Sequence, residues 1–208
     1  MDIHLPKPSK SLREFAVEIG TITIGILIAL TLEAAVTSFH NREIVDKSRE
    51  QLQTELAANR DHVREVVQSA DIDVKSLRAY IAYGQDRLLH KTRPLPTDPL
   101  LGNFTTVSTS AWDSTVATNA LVHMPFDQAN AVAKAYAASR AFNSLEERIE
   151  EHWFELASIG DDPGSLSDAD TRKALGQLRV AYTYQTAVAQ AGRDLVAKYD
   201  AALTSLKN

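Results

Sequence analysis

The sequence contains no cysteine, which removes disulfide staples, thiolate metal ligands and cysteine nucleophiles together. That absence is neutral on compartment, because a disulfide-free domain works on either side of a membrane. Glycine and proline are sparse, at eight and seven in 208 residues. They are also unevenly spread: no proline falls between Pro8 and Pro94 or between Pro125 and Pro163, and no glycine between Gly25 and Gly84. Long uninterrupted stretches rich in alanine favour helices over strands and tight turns. A charge excess of one sign is lacking as well, with 22 basic and 27 acidic residues and a net charge of −5. Without a basic face, nucleic acid is not an expected partner.

What the sequence does have is one long apolar run. Ile19 to Leu32 (IGTITIGILIALTL) carries no charge and is bracketed by Glu18 and Glu33. Alone it is short for a bilayer, but with Phe15, Ala16 and Val17 before it and Ala34 to Phe39 after it the segment reaches about 25 residues, roughly 37 Å as a helix. Both carboxylates then fall near the ends, where an acidic side chain costs far less than at the bilayer centre. The preferred reading is an uncleaved transmembrane anchor over 14–39. Two readings compete with it. A cleaved signal peptide would use Lys7, Lys10 and Arg13 as its basic region, although the two acidic residues argue against it. A soluble amphipathic or core helix is the other.

The basic residues before the span nearly tie with Arg42, Lys47 and Arg49 after it. The orientation favoured is a cytoplasmic tail over 1–13 and an extracytoplasmic domain over 40–208, periplasmic if the source is bacterial.

The soluble part reads as all-α. From Ile44 through Ser48, Leu52, Leu56, Asn59, Val63, Val66, Ala70, Val74 and Leu77 to Leu88, apolar or small residues recur at alternating spacings of three and four, with a stutter near Ala70. This is a helix-packing seam over about 40–91. Asn59 on it would either fix register between helices or sit at a bundle edge. Pro94, Pro96, Pro99 and Gly102 make a loop, and a short helix is expected over 110–121 with Ser110 and Asp113 as a capping pair. A third helix is expected over 126–159, with Tyr136, Phe142, Ile149 and Trp153 on its seam, and a fourth over 168–206, capped by Ser167 and Asp170, with Leu175, Tyr182, Thr186, Ala189, Tyr199 and Leu203 on its seam. Three long helices and one short one predict an antiparallel bundle on a membrane stalk.

Several of these stretches resemble a bacterial family of single-span membrane proteins classed as a domain of unknown function. The similar residues are Leu12-Arg13-Glu14-Phe15-Ala16-Val17-Glu18-Ile19, then Ile24 to Leu30 (IGILIAL), Leu32-Glu33, Glu55 to Arg60 (ELAANR), Ala111-Trp112-Asp113 and Met124-Pro125. The resemblance implies an N-terminal anchor with a helical extramembrane domain, and no chemistry.

Within the anchor, Glu18, Thr21, Gly25, Ala29 and Glu33 share one face, leaving Ile22, Ile26, Leu27 and Leu30 to lipid. Thr21, Gly25 and Ala29 form a ladder of small residues four apart, which lets another helix approach closely. This face is the candidate site, to be met by membrane lipid or by another transmembrane helix, from a second copy or from another membrane protein. The alternative is that the small residues are incidental and both carboxylates sit among headgroups.

Other constellations are weak. His62 with Asp61 and Glu65 reads as a solvated face. Glu151, His152 and Glu155 lack the Glu-x-x-His spacing of di-iron bundles, because position 149 is Ile. Asp161, Asp162, Asp168 and Asp170 lack EF-hand spacing. His40 is expected as an interfacial polar residue. No nucleophile elbow, P-loop or dinucleotide fingerprint occurs, and no metal or cofactor is implied. A Ser-His-Asp set needs only spatial proximity, but nothing points to one. The function expected is therefore an accessory or scaffold subunit rather than an enzyme, with an extracytoplasmic sensor or ligand-binding bundle as the alternative.

Overall fold

The computed structural model describes residues 12–98, 100–157 and 164–207. Its regular secondary structure is all helical, with no strand among the described residues. Among the described residues five helices follow one another: α1 (Leu12–Leu88), α2 (Ser110–Ala117), α3 (Ala120–His123), α4 (Phe126–Ala157) and α5 (Asp168–Ser205). The single short helix expected over 110–121 is thus two, separated by Asn119 in the left-handed conformation (φ 56°). Asn tolerates that conformation better than most residues, and a left-handed residue ends a helix.

The 77 residues of α1 run without a break from the apolar segment into the bundle. Its end is a Schellman motif: Lys91 N–H donates to Asp86 carbonyl at 2.9 Å and His90 N–H to Arg87 carbonyl at 3.0 Å, with His90 at φ 52°. That motif stops α1 at Leu88 rather than at 91.

α5 is the central element. It packs closely along α1 and along α4, whereas α1 and α4 are linked mainly through the chain that connects them. α1 rises from its apolar segment to Leu88; α4 rises beside it from Gln128, whose side chain accepts from Arg49 at 3.2 Å; α5 descends from Leu175, which meets Gly84, to Leu206, whose carbonyl accepts from Gln53 at 3.0 Å. Antiparallel packing therefore holds between α5 and each of the other two, while α1 and α4 run parallel. At Gly192 α5 approaches α1 closely, since a Cβ there would lie 2.5 Å from Val67 Cγ2. Buried side chains of Leu52, Leu56, Val63, Tyr136, Ile149, Leu195 and Tyr199 fill the core, and Ser139 and Tyr199 join α4 to α5 by a hydroxyl pair at 2.7 Å.

The expected α1 seam is buried at Ser48, Leu52, Leu56, Asn59, Val63, Val66, Ala70 and Leu77, but past Ala70 it takes in Asp73 and Ser76 while Val74 is only half-buried. On α5 the expected seam is buried at Leu175, Ala189, Tyr199 and Leu203, but in its middle the stripe lies one residue earlier, with Ala181 and Gln185 buried, Tyr182 half-buried and Thr186 exposed. Ser167 caps α5, its hydroxyl accepting from the Asp170 N–H at 3.2 Å and donating to the Asp170 carboxylate at 2.6 Å. At α2 the expected Ser110 cap is corrected: Thr109 holds that position, its hydroxyl donating to the Asp113 carboxylate at 3.2 Å and not accepting from a main-chain N–H. Glu55 of α1 instead receives the Ala111 N–H at 3.1 Å, placing a carboxylate at the helix N-terminus.

Candidate functional site

The apolar part of α1 stands clear of the bundle, and none of its most hydrophobic stretch is covered by the rest of the protein. It is the one helix, among the described residues, long and apolar enough to cross a membrane. Glu18, Thr21, Gly25, Ala29 and Glu33 are all exposed on it. The Thr21 hydroxyl returns to the Val17 carbonyl at 2.9 Å, so it adds no unpaired polar group to the face. A Cβ at Gly25 would meet nothing within 4 Å.

One part of the sequence reading is corrected by helix geometry. The five residues span about 120°, and Ile22 falls about 40° from Glu18, between Ala29 and Glu33. Ile22 therefore borders the small-residue ladder and does not lie on the opposite side with Leu27. The narrow strip of Glu18, Gly25 and Ala29, within about 40°, carries the two smallest side chains of the five.

Continuity of α1 also fixes where this strip points. Gly25 lies roughly 160° around the helix from Val45, the first buried apolar residue of the bundle seam. The strip faces away from the bundle. Glu33, at the edge of the sector, instead borders a cleft of about 820 Å³ between the stalk and the base of the bundle, which Arg42, Arg49, His123 and Pro125 also line.

The densest polar chemistry lies elsewhere, along the connection from α1 to α4. This chain descends in extended form from Leu100 to Thr109 between α1 and α4, and side chains of those helices take the place of a neighbouring strand. Asp73 accepts from the Leu101 and Gly102 N–H groups at 2.6 and 3.1 Å. Glu146 accepts from the Thr105 N–H at 3.3 Å. Asn143 exchanges two bonds with Val107, both 3.0 Å, and Asn59 exchanges two with Ser108. Glu55 accepts from the Ser108 hydroxyl at 2.6 Å and from the Tyr136 hydroxyl at 2.7 Å. Gly102 fits only as glycine, because its φ is +55° and a Cβ would lie 2.4 Å from Trp153 Nε1.

Burial alters the acids of this clamp. It pushes the Glu146 carboxyl up to about 7; the Thr105 N–H opposes the rise and Glu150 adds to it. Burial raises Asp73 too, and its two N–H partners hold it back. Burial, with Glu55 alongside, lifts the Tyr136 phenol well above its ordinary range. Every partner above is main chain or a neighbouring side chain, and Glu146 Oε1 is buried without a hydrogen-bond partner.

Sequence reading missed Asp73, Glu146 and Glu55 as a set. Their signal was position, since Glu146 lies four after Phe142 and three before Ile149 on the α4 seam. Asn59 proves to be neither a register residue nor a bundle-edge one, because it holds the connection. His62 is exposed, and His152 stacks on Tyr184 with ring centroids 5.0 Å apart. Asp161, Asp162 and Ile159 lie outside the described residues, as does the tail before Leu12. Among the described residues no three His, Asp or Glu side chains converge as metal ligands would.

Compared with family models, with curated proteins and with solved structures, the chain matches none.

Proposed function

We propose that this chain is a single-pass membrane protein of interaction type, an accessory or scaffold subunit whose transmembrane strip of Glu18, Gly25 and Ala29, flanked by Thr21 and Glu33, packs on a partner helix or on a second copy. The observation that carries the reading is the direction of the strip: it is open along its length and turned away from the bundle, so an approaching helix meets no obstruction from the domain above. Small residues supply the close contact, and the carboxylates add polar side chains to the same face. The bilayer would be a bacterial inner membrane, with the N-terminus cytoplasmic and the bundle periplasmic, in keeping with the family that the anchor resembles. No reaction, metal or cofactor is assigned.

Purification in mild detergent tests this. Gly25→Leu, and Glu18→Gln combined with Glu33→Gln, should each change the oligomeric state or the set of co-purifying membrane proteins. If neither changes, the strip is not a docking face. A carboxy-terminal reporter active only outside the cytoplasm tests orientation, and an inactive fusion reverses it.

A second reading has one observation in its favour. At the far end of the bundle, Tyr80, Tyr83, Arg87, Leu100 and Leu175 line a largely apolar cavity of about 190 Å³, below the usual size of a ligand pocket. A sensor of small apolar molecules would use it and would signal through a partner, and ligand-dependent thermal stabilisation of the full chain is its test.

A further inference from the structure

We propose that the base of the bundle, formed by α3 and the first turn of α4, inserts Val122 and Phe126 into the headgroup layer of the bilayer, so that the domain rests on the lipid surface rather than standing off it on the stalk. This rests on the reading of α1 as a membrane span.

The argument begins with exposure. Val122 is 77% and Phe126 79% exposed, more than any large apolar side chain of the anchor itself, where the highest is Phe39 at 69%. A lone exposed apolar residue calls for no explanation, but these two lie four apart at one end of the domain, with buried Met124 between them. Position along α1 identifies what covers them. Pro125 and His123, their immediate neighbours, line the cleft with Asn41, Arg42 and Val45. From Phe39, where the apolar segment ends, Asn41 lies about 3 Å and Val45 about 9 Å along the helix, so this rim of the cleft spans the depth of a headgroup layer. The headgroup layer of one leaflet is about 5 to 8 Å thick. Phe126 is the first residue of α4, and side chains in a helix lean toward its N-terminus, here the base. An aromatic ring at that depth is favoured at the membrane interface.

Charge does not supply the attraction. Arg42, Lys47, Arg49 and His123 at this end are interspersed with Glu43, Asp46 and Asp127, so the contact depends on apolar insertion and not on anionic lipid.

The cysteine-free chain makes the test direct. Single cysteines at Val122, Phe126, Ile26 and Arg172 in the full chain, each carrying an environment-sensitive fluorophore, are reconstituted in phosphatidylcholine vesicles containing a headgroup spin-labelled lipid. Labels at 122 and 126 should be quenched at least twofold more than the label at 172, on the far end of α5, and should lose accessibility to aqueous iodide. Quenching equal to that at 172, with the label at 26 buried in lipid, overturns the inference and leaves the anchor standing. Protection from iodide without lipid quenching shows a protein covering the patch and also overturns it. A water-exposed label at 26 refutes the anchor itself.

Discussion

Asn59 and Ser108 exchange two hydrogen bonds, the Asn59 amide donating to the Ser108 carbonyl at 2.8 Å and the Ser108 N–H donating to Asn59 Oδ1 at 3.1 Å. The pair makes one side chain of α1 act as a strand partner for the connection. Asn59→Asp keeps the acceptor, loses the donor and adds a charge beside Glu55. It should cost about 2 to 4 kcal/mol, read by denaturant unfolding in detergent, and should speed amide exchange over 100–111 more than in α5. Equal acceleration everywhere would count against a local clamp.

Glu146 makes stability depend on pH. Its folded carboxyl titrates at about 7, against an ordinary value of 4.5 in the unfolded chain. Between those values the folded state holds more protons, so stability falls as pH rises and levels off above about 7. The loss amounts to about 3 kcal/mol, with Asp73 adding in the same direction. Glu146→Gln should flatten the melting temperature between pH 5 and 8 and raise it at pH 8. An unchanged profile would show that Glu146 is solvated.

Close approach at Gly192 predicts a change of sign. Gly192→Ala places its Cβ against Val67 and should destabilise by about 1 to 2 kcal/mol after the gain in helix propensity. In a Val67→Ala background the same substitution should be neutral or stabilising, and additive effects would mean that the two residues do not touch.

Gly25 should behave in the opposite way to Gly192. Open space surrounds it, so Gly25→Leu should leave the unfolding of the bundle within about 0.5 kcal/mol of the parent while altering association in the membrane. A matching loss of bundle stability would mean that the substitution acts on folding.

Much of this architecture was legible in the spacing of apolar residues. The seam from Ser48 to Ala70 and the capping pair at Ser167 and Asp170 follow from short-range periodicity and hydrogen bonding, which a sequence displays directly. The connection was legible as a loop but not as a layer of the bundle, because its partners Asp73, Asn143 and Glu146 come from distant helices. Acids at seam positions read as solvated when their burial is fixed only by main-chain donors brought from elsewhere. Tyr182 and Thr186 were misplaced for a related reason: Gln185 looks polar, yet it is buried and donates to Asp73 at 3.4 Å. On the anchor, a regular helix lets the shared face be drawn from numbering alone, although Ile22 shows that a face must be measured in degrees.

The pairing of α1 with α5 has a consequence for the order of synthesis. Val63 and Val67 are made early, and Gly192, which covers them, comes only after the connection, α4 and most of α5 have left the ribosome. At about five to twenty residues per second, that leaves the seam of α1 uncovered for on the order of ten seconds in each new chain. During that interval a rod-like helix presents an apolar stripe to every neighbour, including other nascent copies. A holding chaperone that meets the chain as it emerges, or slow spacing of initiation on the message, would protect yield without any effect on the finished fold.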